Sequence, residues 1–260
     1  MKKVLGRIYI LIIMLFLYLP ILTLIVLSFN EAKSMSVWTG FSLKWYEELF
    51  RSKIMMGAIV NTFSIAVLAA LIATVVGTLA VIGMSAMKQR QVNVLMGFNN
   101  IPMLNADIVT GIALMLFFLM VGMPRGYITI LFSHVTFCIP YVILSVKPRM
   151  NKNTDRLFEA ALDLGASERY AFRRIVLPEL KPGIMSGFLL SFTMSVDDFI
   201  ITYFTRGAGI NTISTLIYSQ VKVGIRPSLF ALSTLVFAAA LIVLLTVNLR
   251  QSRADKALAA

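Results

Sequence analysis

Asp107, Asp197 and Asp198 lie inside long apolar runs of the sequence. A charged side chain in hydrocarbon costs at least about 2.5 kcal/mol on insertion scales, so by default it marks a route for a polar or charged solute. No Lys or Arg lies at comparable depth to neutralise the three acids. The resulting negative charge favours a cationic cargo. Ser191, Ser195, Asp198, Thr202 and Thr205 recur at steps of three and four, which puts them on one helix face as a candidate path lining. Asp197 points about 100° away from that face, toward Thr193 or another helix. Asn100, Asp107, Thr110 and Gly111 share a second face. Phe199, Tyr203 and Phe204 could stack on an alkylammonium group through cation–π contact. The competing reading is that the acids pair with polar groups of neighbouring helices or cap broken helices. His134 and Cys138, four residues apart, are read as packing residues, since neither has a second ligand-type neighbour. They are the one His and the one Cys of the chain. No metal site, disulfide, nucleophile–base pair or other catalytic residue is therefore expected, and the chain is not expected to be an enzyme.

The elements that would position these acids follow from composition. Hydrophobic residues make up 58% of the 260 positions and charged residues 14%, against about 25% charged in a soluble domain. A spanning helix needs about 20 mainly apolar residues. Six stretches qualify: 8–29, 58–84, 98–121, 127–147, 183–204 and 228–249. The expectation is one all-α, polytopic integral membrane domain over 1–260 with six transmembrane helices. The run from Ile8 to Leu27 is too long for a signal-peptide core and reads as a retained first helix. Pro20, Pro102 and Pro140 fall within spans and read as kinks. Trp38, Trp45, Tyr46, Glu47 and Glu48 follow the first span and suit a membrane–water interface. The net charge of +12 is spread between apolar runs, a pattern of membrane topology rather than of nucleic-acid binding. Two thirds of the 24 Lys and Arg residues fall on the side of the termini, the 85–97 loop and the 147–182 segment. The positive-inside rule places that side in the cytoplasm.

Residues 148–182 read as two short helices joined at Gly165. Thr154 and Asp155 could cap the first, and Leu157, Phe158, Ala161 and Leu162 recur at helical spacing. Gly165 suits a left-handed C-cap, Ser167 is placed to cap a helix starting at Glu168, and Pro178 would end it. Phe172, Ile175 and Val176 supply the apolar side of this second helix. Such a basic amphipathic hairpin could lie on lipid or dock into a soluble partner, and physics alone leaves both open. Glu159, Ala160, Ala161, Gly165, Ile175, Leu177 and Pro178 match at every position the EAA loop of permease subunits of bacterial ABC importers, and the hairpin resembles that loop. The resemblance implies a type I ABC importer permease fold. It also implies that these seven residues couple the chain to an ATP-hydrolysing subunit, with small Ala side chains for close approach and Glu159 available to a basic partner.

The run Ser195 to Phe204 looks like the fifth helix of polyamine permeases, and Phe41 to Tyr46 and Phe137 to Pro148 are also similar. Over residues 5–250 the chain resembles the C-type permeases of spermidine/putrescine importers. That resemblance implies ATP-driven polyamine uptake across the bacterial inner membrane. It implies a homologous second permease, two ATP-binding subunits and a periplasmic polyamine-binding protein as partners, the last docking near 30–57 and 205–227. The candidate path residues are then Asp198, Asp197, Asp107, Ser195, Thr202 and Tyr203, with a polyamine as the cation. No cofactor is expected in this chain: it has no G-x-x-x-x-G-K-[ST] sequence, so ATP and Mg would be bound by the partner ATPase. Rival readings are a same-class importer of iron or an opine, an ion-coupled secondary transporter and an intramembrane enzyme. The secondary transporter would have no use for the loop, and the enzyme would need a catalytic constellation.

Overall fold

The computed structural model describes residues 2–33, 37–239 and 241–242. Its elements are helices α1 (Lys2–Ser28), α2 (Lys44–Arg51), α3 (Lys53–Ser85), α4 (Gln89–Leu104), α5 (Asp107–Met120), α6 (Tyr127–Val146), α7 (Lys152–Asp163), α8 (Glu168–Ala171), α9 (Leu177–Asp197), α10 (Ile200–Thr205), α11 (Ile213–Val223) and α12 (Ser228–Ala239). One isolated β-bridge, Asn30 with Phe41, interrupts this all-α architecture among the described residues.

Among the described residues, four helices are long and apolar enough to cross a membrane: Gly6–Ser28, Lys53–Ser85, Tyr127–Arg149 and Glu168–Asp197. The pair α4 and α5 is a fifth if it is counted as one span. The expected span 98–121 is thus not one helix. It breaks at Asn105 and Ala106, both extended, and bends by 104°. Pro102 removes an interior donor three residues before the break. Asp107 then opens α5, where a carboxylate complements the positive end of the helix. The expected span 183–204 is also corrected. Its helix begins at Glu168 and breaks at Asp198. Of the expected sixth span, 228–249, the described part is the apolar helix α12; residues 240 and 243–249 lie outside the described residues.

The chain forms two compact units. The first comprises residues 1–56 and 217–260. In it α1 is apolar all round, and its side chains from Ile8 to Leu19 face outward, as on a helix that meets lipid or a partner chain. The turn after α1 is organised by Asn30. Its Oδ1 accepts from Thr39 N at 3.0 Å, and its Nδ2 donates to Val37 O at 2.8 Å. Trp45 is 2% exposed and donates from Nε1 to Asn30 O at 2.6 Å. It is therefore a packing residue, not the interface anchor its position suggests. Trp38 does face outward.

The second unit, Gly57 to Leu216, is built around α6. This helix buries Ile130, His134, Phe137, Cys138, Val142 and Val146. Between membrane helices, association depends on close backbone approach rather than on burial from water. The sequence supplies that on α9, where Gly183, Gly187, Ser191 and Ser195 recur every fourth residue and all are buried. A Cβ on Gly183 would fall 2.8 Å from Ser145 O, and one on Gly187 would fall 3.2 Å from Val142 Cα. On the α3 side of α6, a Cβ on Gly77 would fall 2.7 Å from Val142 Cγ1. Thr62 Oγ1 accepts from Ile213 N at 2.8 Å and Asn61 Nδ2 donates to Asn211 O at 3.0 Å, which ties the segment before α11 to α3.

Candidate functional site

The site forms where α9 stops and α10 starts. Asp198 is extended (φ −61°, ψ 129°), so the helical ladder is interrupted there. Its carboxylate meets the freed donors: it accepts from Ile201 N at 3.2 Å, Thr202 N at 2.8 Å and Thr202 Oγ1 at 2.7 Å. Asp198 therefore caps a broken helix, one of the two readings the sequence allows for the acids. His134 of α6 stands behind it, with Nε2 at 3.4 Å from Asp198 Oδ2. The same ring bonds Ser195 Oγ through Nδ1 at 2.6 Å and Thr202 Oγ1 through Nε2 at 2.9 Å. Reading His134 as a packing residue is thus corrected: it is the hub of a polar network. Cys138 does pack, with its thiol 3.5 Å from Ser191 O.

The polar stripe is placed differently from the expectation. Ser191, Ser195, Thr202 and Thr205 are buried against α6 rather than lining an open space. The periodicity argument found a real face, but helical spacing cannot say what covers a face. Asn100 likewise sits on α4, across the bend from Asp107.

A cavity of about 310 Å³ opens beside the break. Asp107, Asp197 and Asp198 all line it, with Phe137, Tyr141 and Phe199 among its walls. The structure therefore brings the three acids together from two broken spans. It also separates their roles. Asp198 is occupied by the helix end and His134, whereas no hydrogen bond or ion pair engages Asp107 or Asp197 among the described residues. Tyr203 is not part of this cavity. It lines another, of about 520 Å³, with Arg125 and Arg206. There the Arg206 guanidinium lies 5.7 Å from the Tyr203 ring centroid and bonds Asn211 Oδ1. The cation over Tyr203 is thus the chain's own arginine.

The second feature is the hairpin of α7 and α8. Asn151, not Thr154, caps the first helix: its Oδ1 accepts from Thr154 N at 3.3 Å. Thr154 Oγ1 turns back to Arg149 O at 3.0 Å, and the Asp155 side chain lies outside the described residues. Ser167 precedes α8 as expected but makes no side-chain cap bond. Gly165 has φ +86°, with Gly165 N on Leu162 O and Ala166 N on Ala161 O, a left-handed helix stop. Pro178 does not end the second helix. It lies in the first turn of α9, and Glu168–Asp197 is continuous through a π-helical turn at Phe172–Val176. A π turn just before a proline leaves room for its ring and for the missing donor. Phe158, Phe172, Val176 and Leu180 pack toward the core around α6. Leu157, Glu159, Ala160, Leu177 and Pro178 face outward, Ala161 and Ile175 are half-buried, and Leu164 at the tip is 90% exposed.

No atom lies within 4 Å of a Cβ built on Gly165, so a substitution there meets backbone strain and no clash. Gly165→Ala is expected to cost about 1 kcal/mol, and Gly165→Asn less, because Asn tolerates the left-handed region. Amide hydrogen exchange over 152–167 checks this: about fivefold faster exchange in the Ala variant and less in the Asn variant.

Residues 73–253 match the family described as binding-protein-dependent transport system inner membrane component. The chain belongs to this family. It is 40% identical to the spermidine/putrescine transport system permease protein PotC of Haemophilus influenzae, over 88% of this chain and 90% of that one. It is 38% identical to the putrescine transport system permease protein PotI of Escherichia coli, over 93% and 88%. Among solved structures it is similar to a bacterial ABC transporter involved in the import of the acidic polysaccharide alginate. That match has a TM-score of 0.75 at 13% identity, covers 96% of this chain and 95% of the other, and shows the permease fold. As an inner membrane component of this kind, the chain is a multi-pass part of a multi-subunit transport system. The hairpin and the acid-lined cavity both lie within the matched residues.

Proposed function

We propose that the chain is the polyamine-translocating permease subunit of an ATP-driven importer in the bacterial inner membrane, with both termini cytoplasmic. The observation that carries the cargo class is the cavity lined by aromatic rings and by two carboxylates, Asp107 and Asp197, that no hydrogen bond or ion pair engages among the described residues. Free carboxylates pair with ammonium groups, and rings accept the methylenes between them. The names of the PotC and PotI relatives point to the same cargo. A homologous second permease would complete the path, and a periplasmic polyamine-binding protein would dock near 30–57 and 205–227. Two ATP-binding subunits would engage the hairpin and supply ATP and Mg, with no cofactor held here. Closure of the ATPases would open the path outward, Asp107 and Asp197 would receive the cation, and hydrolysis would reset the cycle.

The test of cargo is radiolabelled spermidine uptake into vesicles that hold this chain with its partner subunits. Excess putrescine should compete and ferric iron or an opine should not; competition by the latter pair alone would overturn the cargo. The test of the dock is Leu164→Asp. Leu164 presents an exposed apolar tip, which supports reading it as a contact anchor. ATP hydrolysis stimulated by the loaded binding protein should fall about tenfold or more, a loss of about 1.4 kcal/mol or more of coupling, at an unchanged level of assembled chain. Unchanged stimulation would remove the hairpin from the ATPase contact.

A further inference from the structure

His134 belongs to no step of transport as described, yet it touches both sides of the break between α9 and α10. Its ring is 1% exposed and sits on α6, a helix with no break. One nitrogen bonds Ser195, before the break, and the other bonds Thr202, after it. The donor inventory fixes the direction of the second bond. An ionised Asp198 can only accept, so the single hydroxyl hydrogen of Thr202 goes to Asp198 Oδ2 at 2.7 Å. Thr202 Oγ1 must then accept from His134, and Nε2 carries a hydrogen. The chain of donation runs from His134 to Thr202 to Asp198, and Asp198 in turn holds Ile201 N and Thr202 N.

We infer that His134 is a positioning residue of the translocation site. By clamping Ser195 and Thr202 it holds Asp198 as the helix cap, and this aims the adjacent Asp197 into the cavity beside Asp107. Asp198 is thereby withheld from cargo, and Asp197 is presented to it. The inference rests on the reading that Asp107 and Asp197 take a cation. One of its two tests does not depend on that reading.

The first test measures spermidine uptake in vesicles with the complete importer. His134→Phe keeps the bulk of the ring and removes both bonds. It should raise KM about tenfold or more, equivalent to about 1.4 kcal/mol of lost cargo binding, while maximal rate changes less than about threefold. His134→Gln keeps an amide donor for Thr202 and should return KM to within about threefold of the parent. Thr202→Val breaks the same chain at its middle link and should reproduce the Phe result, which keeps the test alive if His134→Phe fails to assemble. A lowered maximal rate with unchanged KM in both variants would overturn the inference. The second test uses Asp197→Cys, labelled with a cationic thiosulfonate reagent; the single native thiol, Cys138, is buried. Adding Thr202→Val should slow labelling of that position about tenfold. Equal labelling rates would overturn the positioning role whatever the cargo is. Slowed labelling with uptake insensitive to Asp197→Asn would instead fault the cation reading and leave the clamp standing.

Discussion

Gly187→Leu is expected to remove the folded chain from the membrane, and Gly183→Leu to do the same. Both glycines face α6 at backbone contact: built Cβ positions fall 3.2 Å from Val142 Cα and 2.8 Å from Ser145 O. Neither neighbour is the free end of a side chain, so relief requires the two helices to separate. Overpacking in a close-packed core costs about 1–3 kcal/mol when side chains can shift, and more when only backbone can. Separation would also pull Ser191 from Cys138 and Ser195 from His134, because the small residues and the network share one face. The loss should therefore be cooperative. The measurement is the amount of monodisperse chain extracted from membranes, with its thermal midpoint. Gly57→Ala is the control: it sits in α3 with nothing within 4 Å of its built Cβ. It should be neutral or slightly stabilising, since Ala exceeds Gly in helix propensity by about 1 kcal/mol. Full accumulation of Gly187→Leu would show that α9 does not pack on α6 at this distance.

Asp197→Asn and Asp107→Asn are each expected to raise KM for spermidine uptake about tenfold or more, and together to abolish measurable uptake. A hydrogen bond to a charged group contributes about 1.5–3 kcal/mol, and here no hydrogen bond or ion pair engages either carboxylate at the cavity among the described residues. Asparagine keeps size and loses charge, so the packing of α5 and α9 is spared. Asp198→Asn should differ in kind. Its oxygens bond Ile201 N, Thr202 N and Thr202 Oγ1, so the substitution weakens the cap and reduces the amount of assembled chain before it changes affinity for cargo. Uptake kinetics scaled to the assembled protein separate the cases. An Asp198→Asn variant with normal accumulation and strongly raised KM, beside unaffected Asp197→Asn, would reverse the assignment.

That assignment inverts what spacing alone suggests. Helical periodicity ranks Asp198 first, because it shares a face with four hydroxyl residues, and turns Asp197 away. The face is real, but it is the face that packs on α6. Periodicity gives relative directions within one helix and carries no information on which neighbour lies opposite, so His134, 64 residues before Asp198, gave no sign of its part. The breaks were hidden for a related reason. Residues 98–121 and 183–204 are apolar enough to read as unbroken spans, and only the extended backbone at Asp198 and at the pair Asn105–Ala106 reveals the interruptions. Local signals fared better. Gly165 is left-handed because the helix stops and turns there, and glycine adopts that φ at the least cost, which sequence and structure state in the same terms. Pro178 misled because it sits in the first turn of α9, where proline is tolerated, and the turn before it is π-helical.

That widened turn has a mechanical consequence. Glu168 to Asp197 is one helix of 30 residues, about 45 Å long at 1.5 Å per residue, reaching from the hairpin to the site. It is a lever arm with the exposed Leu164 near one end and Asp197 at the other. A rocking of about 5° about its midpoint would carry each end about 2 Å in opposite directions, on the scale of helix shifts that switch packed proteins between states. A push at the Leu164 tip would then arrive at the acidic cavity as displacement, with no relay of side chains between.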